Sequence, residues 1–309
     1  MTTSHKTVLL NEATESLNLK QGMIVIDATL GGGGHAFRIL EKIGDAGMLI
    51  AIDRDIQAID RFAEIKKAEN IHLINNNFAD LKNILADLKI EKVDAILADL
   101  GISSDQLEDS QRGISFQKDS LLDMRMDRTG GITAAEVLNT YEEKELERIL
   151  KELADEQYAR SIARNIIARR KEGPLTWTSE LVEIVGRSVP SIYKRKKIHY
   201  ATKTFQALRI EVNRELESLG SFLSQAIEVL KSGGRLAIIT FHSGEDSLVK
   251  YAFRENARGC ICPPEFPVCQ CHNKPIAKLI NRKPTIASDG EIKDNHRARS
   301  AKLRVIEKI

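Results

Sequence analysis

With 309 residues, 42% of them hydrophobic, the chain carries enough apolar material for one large α/β domain or for two domains, which excludes disorder as the default. No run approaches the roughly 18 apolar residues of a membrane span, and Met1 to His5 lacks a basic region followed by an apolar stretch, so a cytoplasmic protein without membrane attachment is expected. The formal net charge of +2 conceals a segregation: residues 105–157 hold 14 Asp and Glu against 7 Lys and Arg, whereas 158–214 hold 13 Lys and Arg against 4 Asp and Glu. The second segment suits a phosphate-rich partner, the alternative being a merely solvated basic face.

In chain order, Met23 to Ala28 is a short apolar run closed by an Asp and a glycine cluster, the pattern of a buried parallel strand entering a tight turn. A helix is predicted from about His35 to Lys42, a second strand over Met48 to Ile52 ending at Asp53, and a helix over Ile56 to Lys67. Ile71 to Ile74 and Val93 to Ala98 are the third and fourth strands. Around Gln106 this alternation stops. The next stretch is helical in period, with Thr133 and Glu136 as a cap pair, an amphipathic stretch from Glu142 to Arg170, and a break at Gly173-Pro174. Strand character returns at Arg235 to Phe241. A helix over Glu245 to Glu255 and a last strand over Lys302 to Ile306 complete the pattern. The nucleotide-type domain is therefore expected to be discontinuous, with a helical domain inserted in it.

The turn Asp27-Ala-Thr-Leu-Gly-Gly-Gly-Gly-His35 lets backbone approach a ligand at the N-terminus of a helix, as adenosine-containing cofactors require. Gly31, Gly33 and Ala36 satisfy G-x-G-x-x-G/A, and Asp53 lies at a suitable distance to hold ribose hydroxyls. That pattern fits NAD and S-adenosylmethionine equally. For Asp53 the alternative is a helix N-cap. Phe78, after the third strand, offers an aromatic face for an adenine ring or serves as a core anchor. Asp99 ends the fourth strand at the carboxyl edge where open α/β sheets bind ligands, and can meet either a cofactor's amino acid moiety or a substrate amine.

Eight ordered motifs then carry a resemblance over nearly the whole chain. They are His5-Lys-Thr-Val-Leu-Leu-Asn-Glu12, Asp27 to His35, Asp99-Leu-Gly-Ile-Ser-Ser-Asp-Gln106, Arg112-Gly-Ile-Ser-Phe116, Leu122-Asp-Met-Arg-Met-Asp127, Thr202 to Asn213, Phe241-His-Ser-Gly-Glu-Asp246 and Asn295 to Arg304. The sequence resembles the ribosomal RNA small subunit methyltransferase H family, which methylates N4 of a cytidine in the decoding region of 16S rRNA, conventionally numbered 1402. Two positions depart: Tyr200 stands where many relatives have Pro, and Gly244 where Leu is usual.

The resemblance implies an α/β fold: a Rossmann-like S-adenosylmethionine-dependent methyltransferase domain from residues 1–107 and 211–309, with an inserted all-helical RNA-recognition domain at 108–210. It also implies that Gly33, Gly34, His35, Asp53, Phe78, Asp99 and Gln106 contact S-adenosylmethionine. The expected partner is 16S rRNA within the small ribosomal subunit. Whether the chain works alone or as a homodimer stays open. A nicotinamide-dependent oxidoreductase would share the glycine turn but give the basic segment no purpose. A non-catalytic RNA-binding protein would need neither Asp53 nor Asp99.

The exocyclic amine of cytosine is a poor nucleophile because its lone pair is delocalised into the ring, so holding it in line with the methyl group is the main task. An acceptor on an N4 hydrogen would localise that lone pair. Asp99 is the first candidate, with Ser103, Ser104 and His242 behind it; a structural histidine in a strand-end turn is the alternative for His242. A base in folded RNA must be unstacked first. Arg160, Arg164, Arg169, Arg170, Lys171, Lys194, Arg195, Lys196, Lys197 and Arg209 are the candidates for holding phosphates meanwhile, with Tyr193 and Tyr200 for stacking and Asn295 to Arg304 as a second basic segment. Finally, Cys260, Cys262, Cys269 and Cys271 form two C-x-C pairs. Such pairs are less usual than C-x-x-C as ligand loops, so structural zinc, a redox-sensitive thiol cluster and reduced loop cysteines all remain readings.

Overall fold

The computed structural model describes residues 6–102, 106, 107, 109, 112–263, 265, 266 and 268–309. The chain forms two compact units, one of residues 1–101 and 216–309, the other of 102–215.

The first unit opens with helix α1 (Leu10–Ser16) and then alternates: β1 (Ile24–Asp27), α2 (Gly34–Ile43), β2 (Met48–Asp53), α3 (Ile56–Ile65), β3 (Ile71–Asn75), α4 (Leu81–Asp87) and β4 (Val93–Asp99). The strands join one sheet, in which β1, β2, β3 and β4 are parallel. Their apolar runs are continuous because both faces are covered. Ile26, Ile50, Ile52 and Ile96 pack with Leu81, Ile84, Phe222 and Phe253 on one face, while Val25, Leu49, Ala51 and Leu97 pack with Leu9, Ile39, Ile43 and Phe62 on the other. This is period-two alternation read across two cores.

The second unit is helical. In chain order it holds α5 (Ala134–Thr140), α6 (Glu143–Ala154), α7 (Ala159–Arg170), α8 (Thr178–Ser188), α9 (Ser191–Lys194) and α10 (Thr202–Asn213), around a core that includes Leu138, Ile149, Ile162, Leu181 and Phe205. Thr133 and Glu136 form the expected capping box. The stretch from Glu142 to Arg170, by contrast, is two helices. Asp155 takes a left-handed conformation (φ 50°) and ends α6, and the next residue, Glu156, is buried where the Tyr193 hydroxyl and the Tyr158 N–H donate to it. A tertiary contact overrides a helical period here.

The chain re-enters the first unit through α11 (Glu215–Val229) and β5 (Leu230–Thr240), which lies parallel to β4. The pairing jumps from Val93↔Leu230 to Ala95↔Arg235, so the residues between Leu230 and Arg235 form a bulge, pinned by Lys231 on Asp94. After α12 (Ser243–Asn256) come β6 (Ala277–Leu279), β7 (Thr285–Ile286), α13 (Asp289–Asp294) and β8 (Lys302–Lys308). The strand order is β3-β2-β1-β4-β5-β8-β6, with β7 also paired to β8, and β8 runs antiparallel to β5. The chain thus winds outward from β1 in one direction to β3, then restarts on its other side at β4. The carboxyl ends of β1 and β4 flank the switch point, where open sheets of this kind bind ligands.

Candidate functional site

Register places the acidic residues. Asp27, the last residue of β1, lies opposite Ala51 and Leu97, so Asp53 and Asp99 each stand two positions further along their strands. They project roughly 7 Å beyond Asp27, on backbones about 10 Å apart with β1 between them. The turn after β1 bridges the gap. Ala28 N–H donates to Leu97 carbonyl, Leu30 N–H to Ile52 carbonyl, and the Thr29 hydroxyl accepts from Asp99 N–H at 2.6 Å.

Asp53 accepts the Gly31 N–H on one carboxylate oxygen and the Asp55 N–H on the other, both at 2.8 Å. Each oxygen keeps a lone pair for a further donor. Burial raises its pKa, against the lowering effect of those N–H groups. The cap of α3 is a different residue, Asp55, whose side chain accepts from Gln57 N–H. Asp27 is fully buried; one oxygen accepts from Thr29 N–H and the other has no hydrogen-bond partner among the described residues. Its carboxyl is pushed well above the usual range by burial, with Asp99 and Asp53 adding to the effect. Asp99 is one-fifth exposed, and its Oδ1 likewise lacks a partner among the described residues. Burial pushes its carboxyl up to about 7, opposed by Arg297 and assisted by Glu245.

His35 is buried in the first turn of α2, with Nδ1 3.7 Å from Asp99 Oδ2. Gly33 ends the turn at φ 78°, and no side chain caps the helix beyond it. A Cβ at Gly33 would lie 2.6 Å from the Phe62 ring, and one at Gly34 would lie 1.8 Å from Thr7 Oγ1. Packing against protein therefore demands glycine at both positions, a reason separate from any ligand. Phe78 follows β3, half-buried, with its ring edge-on to Phe222 at 5.0 Å. The ring is anchored on the core while part of it stays accessible. Gln106 belongs to the second unit and is buried; Ser103 and Ser104 lie outside the described residues.

His242 is the N-cap of α12. Its Nδ1 accepts from Glu245 N–H at 3.4 Å, Nε2 lies 3.1 Å from Glu245 Oε1, and Glu245 in turn accepts from Phe241 N–H. Nδ1 is thus used by the cap, while Nε2 is buried and makes no hydrogen bond among the described residues. In the second basic segment, Arg304 is buried and donates to Asp246 at 2.7 Å, with Lys302 on the same carboxylate. Although burial opposes it, these bonds hold Asp246 below the usual carboxylate range. Arg304 therefore serves the sheet and not a phosphate.

The basic residues of the helical unit divide in two. Arg160 and Arg164 project from α7 into solvent, and Lys194, Arg195, Lys196 and Lys197 are exposed too; none of these side chains makes a hydrogen bond or ion pair among the described residues, although Lys194 and Lys196 lie over the rings of Tyr200 and Tyr193. Arg169 pairs with Glu180 at 2.6 Å, Arg170 donates to the carbonyls of Leu138 and Tyr141 at the end of α5, and Arg209 forms a two-pronged pair with Glu215. These three have internal partners. Tyr193 differs from its expected stacking role, because it is buried with its hydroxyl on Glu156 and its pKa pushed up to about 12 by burial and that carboxylate. Tyr200 is half-buried beside the His199 ring, 4.1 Å between centroids. The four cysteines come together on the segment between α12 and β6.

Sequence reasoning did not single out Asp27 as a site residue, and it named Arg297 only within the basic segment Asn295 to Arg304, not as a neighbour of Asp99. Asp27 was findable, since the strand-end rule that marks Asp53 and Asp99 applies to it equally. Arg297 carried no such signal; its influence on Asp99 depends on how the segment before β8 folds back.

The model of the MraW methylase family matches residues 2–309. The chain belongs to the MraW methylase family. As a member it is an S-adenosylmethionine-dependent methyltransferase, which decides between the two cofactors that the glycine turn leaves open. This MraW methylase is 47% identical to the ribosomal RNA small subunit methyltransferase H of Clostridium botulinum (strain Kyoto / Type A2), over 99% of each chain. It is 44% identical to the protein of that name from Brevibacillus brevis, over 99% of this chain and 98% of the relative. A solved rRNA methylase from Streptococcus thermophilus aligns with a TM-score of 0.43 at 12% identity, over 98% of both chains.

The residues at the sheet edge fit the cofactor. Two buried carboxylate oxygens without partners suit a ligand that carries a sulfonium and an ammonium charge, and the doubly held Asp53 suits vicinal hydroxyls.

Proposed function

We propose that this protein methylates N4 of a cytidine in the decoding region of 16S rRNA, acting in the cytoplasm on the small ribosomal subunit. The observation that carries the reading is Asp99: a partly exposed carboxyl at the switch point, held at its backbone by Thr29, with one buried oxygen unpartnered among the described residues. The close similarity to small-subunit rRNA methyltransferases supports the choice of substrate.

S-adenosylmethionine supplies an electrophilic methyl group on a positively charged sulfur. When bound, S-adenosylmethionine would have its ribose held by Asp53, its adenine covered by Phe78 and the backbone from Gly31 to Gly34 with His35 against it; the family resemblance adds Gln106 as a further cofactor contact. In its anionic form Asp99 accepts a hydrogen bond from N4, which returns lone-pair density to the nitrogen and offsets the positive charge that develops there. The amine must also lose a proton once the new N–C bond forms. A carboxyl raised to about 7 is far better matched to receive it than an ordinary aspartate. His35 Nδ1 lies 3.7 Å from the other oxygen, beyond hydrogen-bond distance. Ser103, Ser104 and His242 stand behind Asp99 in this role, His242 the weaker for being used in a helix cap. Arg160, Arg164 and Lys194 to Lys197 hold RNA phosphates while the base is unstacked.

Small subunits from cells lacking this protein, incubated with it and with S-adenosylmethionine labelled in the methyl group, should take up label at a single cytidine, recovered as the N4-methyl nucleoside. Label on another base, on another atom of cytosine or on ribosomal protein would overturn the reading.

A further inference from the structure

Between Asn256, where α12 ends, and Ala277, where β6 begins, the described residues form neither helix nor strand. The two ends are tied by the Ile276 N–H on the Asn256 carbonyl, 3.0 Å, and by the Asn273 amide, which donates to the carbonyls of Arg258 and Gly259. The described residues between those ties bury almost nothing: Ile261, Phe266 and Val268 are 50%, 47% and 71% exposed. A segment with no apolar core cannot recover the conformational entropy of holding one shape, and small coreless segments that do hold one use a disulfide or a metal.

Its four thiols nevertheless converge. All of the sulfurs of Cys260, Cys262, Cys269 and Cys271 lie within 4.8 Å of one another, with 3.6 Å between Cys269 and Cys271 and 3.8 Å between Cys260 and Cys271. These separations are well beyond the roughly 2.05 Å of a sulfur–sulfur bond. They match the edges of a tetrahedron of thiolates, which at a zinc–sulfur distance of about 2.3 Å are about 3.8 Å long. The backbone is arranged around sulfur as well. Ile261 N–H and Asn273 N–H point at Cys271 Sγ, and Gln270 N–H at Cys262 Sγ, at 3.2 to 3.5 Å. Donors aimed at sulfur disperse the negative charge that a four-thiolate site accumulates. Each C-x-C pair contributes two adjacent vertices, and the residues between the pairs provide the return.

We propose that Cys260, Cys262, Cys269 and Cys271 bind one zinc ion, and that this ion fixes the fold of residues 257–276. β6 lies three strands from β4 in the sheet, so the role is structural and separate from methyl transfer. Zinc suits the site because it has no redox chemistry and accepts four thiolates without an open position. Binding displaces the thiol protons to solvent.

The test uses the full chain, purified without chelator or added metal and exhaustively dialysed. Elemental analysis should find about one zinc per chain, and all four thiols should resist a thiol reagent until a chelator is present. C262S and C271S should each lower zinc to less than about 0.1 per chain. Should those variants fail to fold, the chelated wild-type chain titrated with cobalt(II) still decides, by whether it develops the intense visible absorption of a tetrahedral tetrathiolate at one equivalent. Metal-free protein with four freely reactive thiols, bound iron in place of zinc, or cobalt absorption without thiolate character would each overturn the proposal. S-adenosylmethionine should bind the zinc-depleted chain within about twofold of the native affinity.

Discussion

At the carboxyl edge of the sheet, Asp27 and Asp99 are withdrawn from water with one oxygen apiece lacking a partner among the described residues, and burial raises both carboxyls. In the helical unit, Glu156 is also buried but receives two donors, Arg170 fills two carbonyls that α5 leaves open, and Arg209 meets Glu215 with both prongs. These three side chains of the helical unit are thus satisfied within the protein, whereas the two sheet-edge carboxyls each keep an oxygen without a partner among the described residues. An unpartnered buried carboxylate costs stability until something binds it, which is why such groups mark sites.

The contrast can be broken most sharply at Asp99. Asp99→Ala should lower the rate of transfer by about 10³-fold. Calorimetry with S-adenosylmethionine separates its two roles: retained affinity assigns the carboxyl to the substrate amine, and a matching loss assigns it to the cofactor. Asp99→Asn should be equally inactive yet more stable. Because the folded protein holds this proton more tightly than the unfolded chain does, the stability Asp99 contributes is full below pH ~4 and declines as pH rises through about 7. Removing the charge should therefore raise Tm at pH 8 by roughly 2–4 °C or more, and should have little effect near pH 4.

On the other side of the comparison, replacing Lys194, Arg195, Lys196 and Lys197 together by Ala should weaken RNA binding about 10- to 100-fold and flatten the salt dependence of log K by roughly 3, with cofactor affinity unchanged. An unaltered salt slope would return these residues to the status of a solvated face. The pH profile gives a smaller but more specific effect. Below about 7, kcat/KM should fall tenfold per pH unit as Asp99 takes up its proton, with a plateau above. Arg297→Met should move that midpoint upward, since Arg297 lowers the Asp99 pKa. Least of all for catalysis, Arg170→Met should destabilise the chain by about 1.5–3 kcal/mol in denaturant unfolding and leave the sheet-edge chemistry intact.

The parallel strands were legible because their apolar runs end in a turn signal and an Asp, and Asp53 and Asp99 could be named from strand ends alone. α4 and α13, each shorter than two full turns, gave too little period to register. The division of Glu142 to Arg170 was invisible because it depends on a buried Glu156 meeting Tyr193 from elsewhere in the chain. The basic patch shows the same limit: charge density is written in composition, whereas the partners that occupy Arg169, Arg170 and Arg209 exist only once the helices pack. The cysteines lie between these cases, since spacing brought them forward and only folding could show the sulfurs converging.

The pairing of β5 with β4 has a consequence for how the protein is made. β4 is finished at Asp99, but its neighbour on that side is not synthesised until residues 230–240, after the whole helical unit. Throughout that interval Val93–Asp99, an apolar strand, has an open edge, the kind of template on which nascent chains associate wrongly. Helical units rich in local contacts fold fast, so residues 102–215 can be settled before β5 arrives and shorten the span that its pairing must search. Chains stopped before residue 230 should therefore aggregate, while those ending between 230 and 240 should be rescued in proportion to how much of β5 they contain.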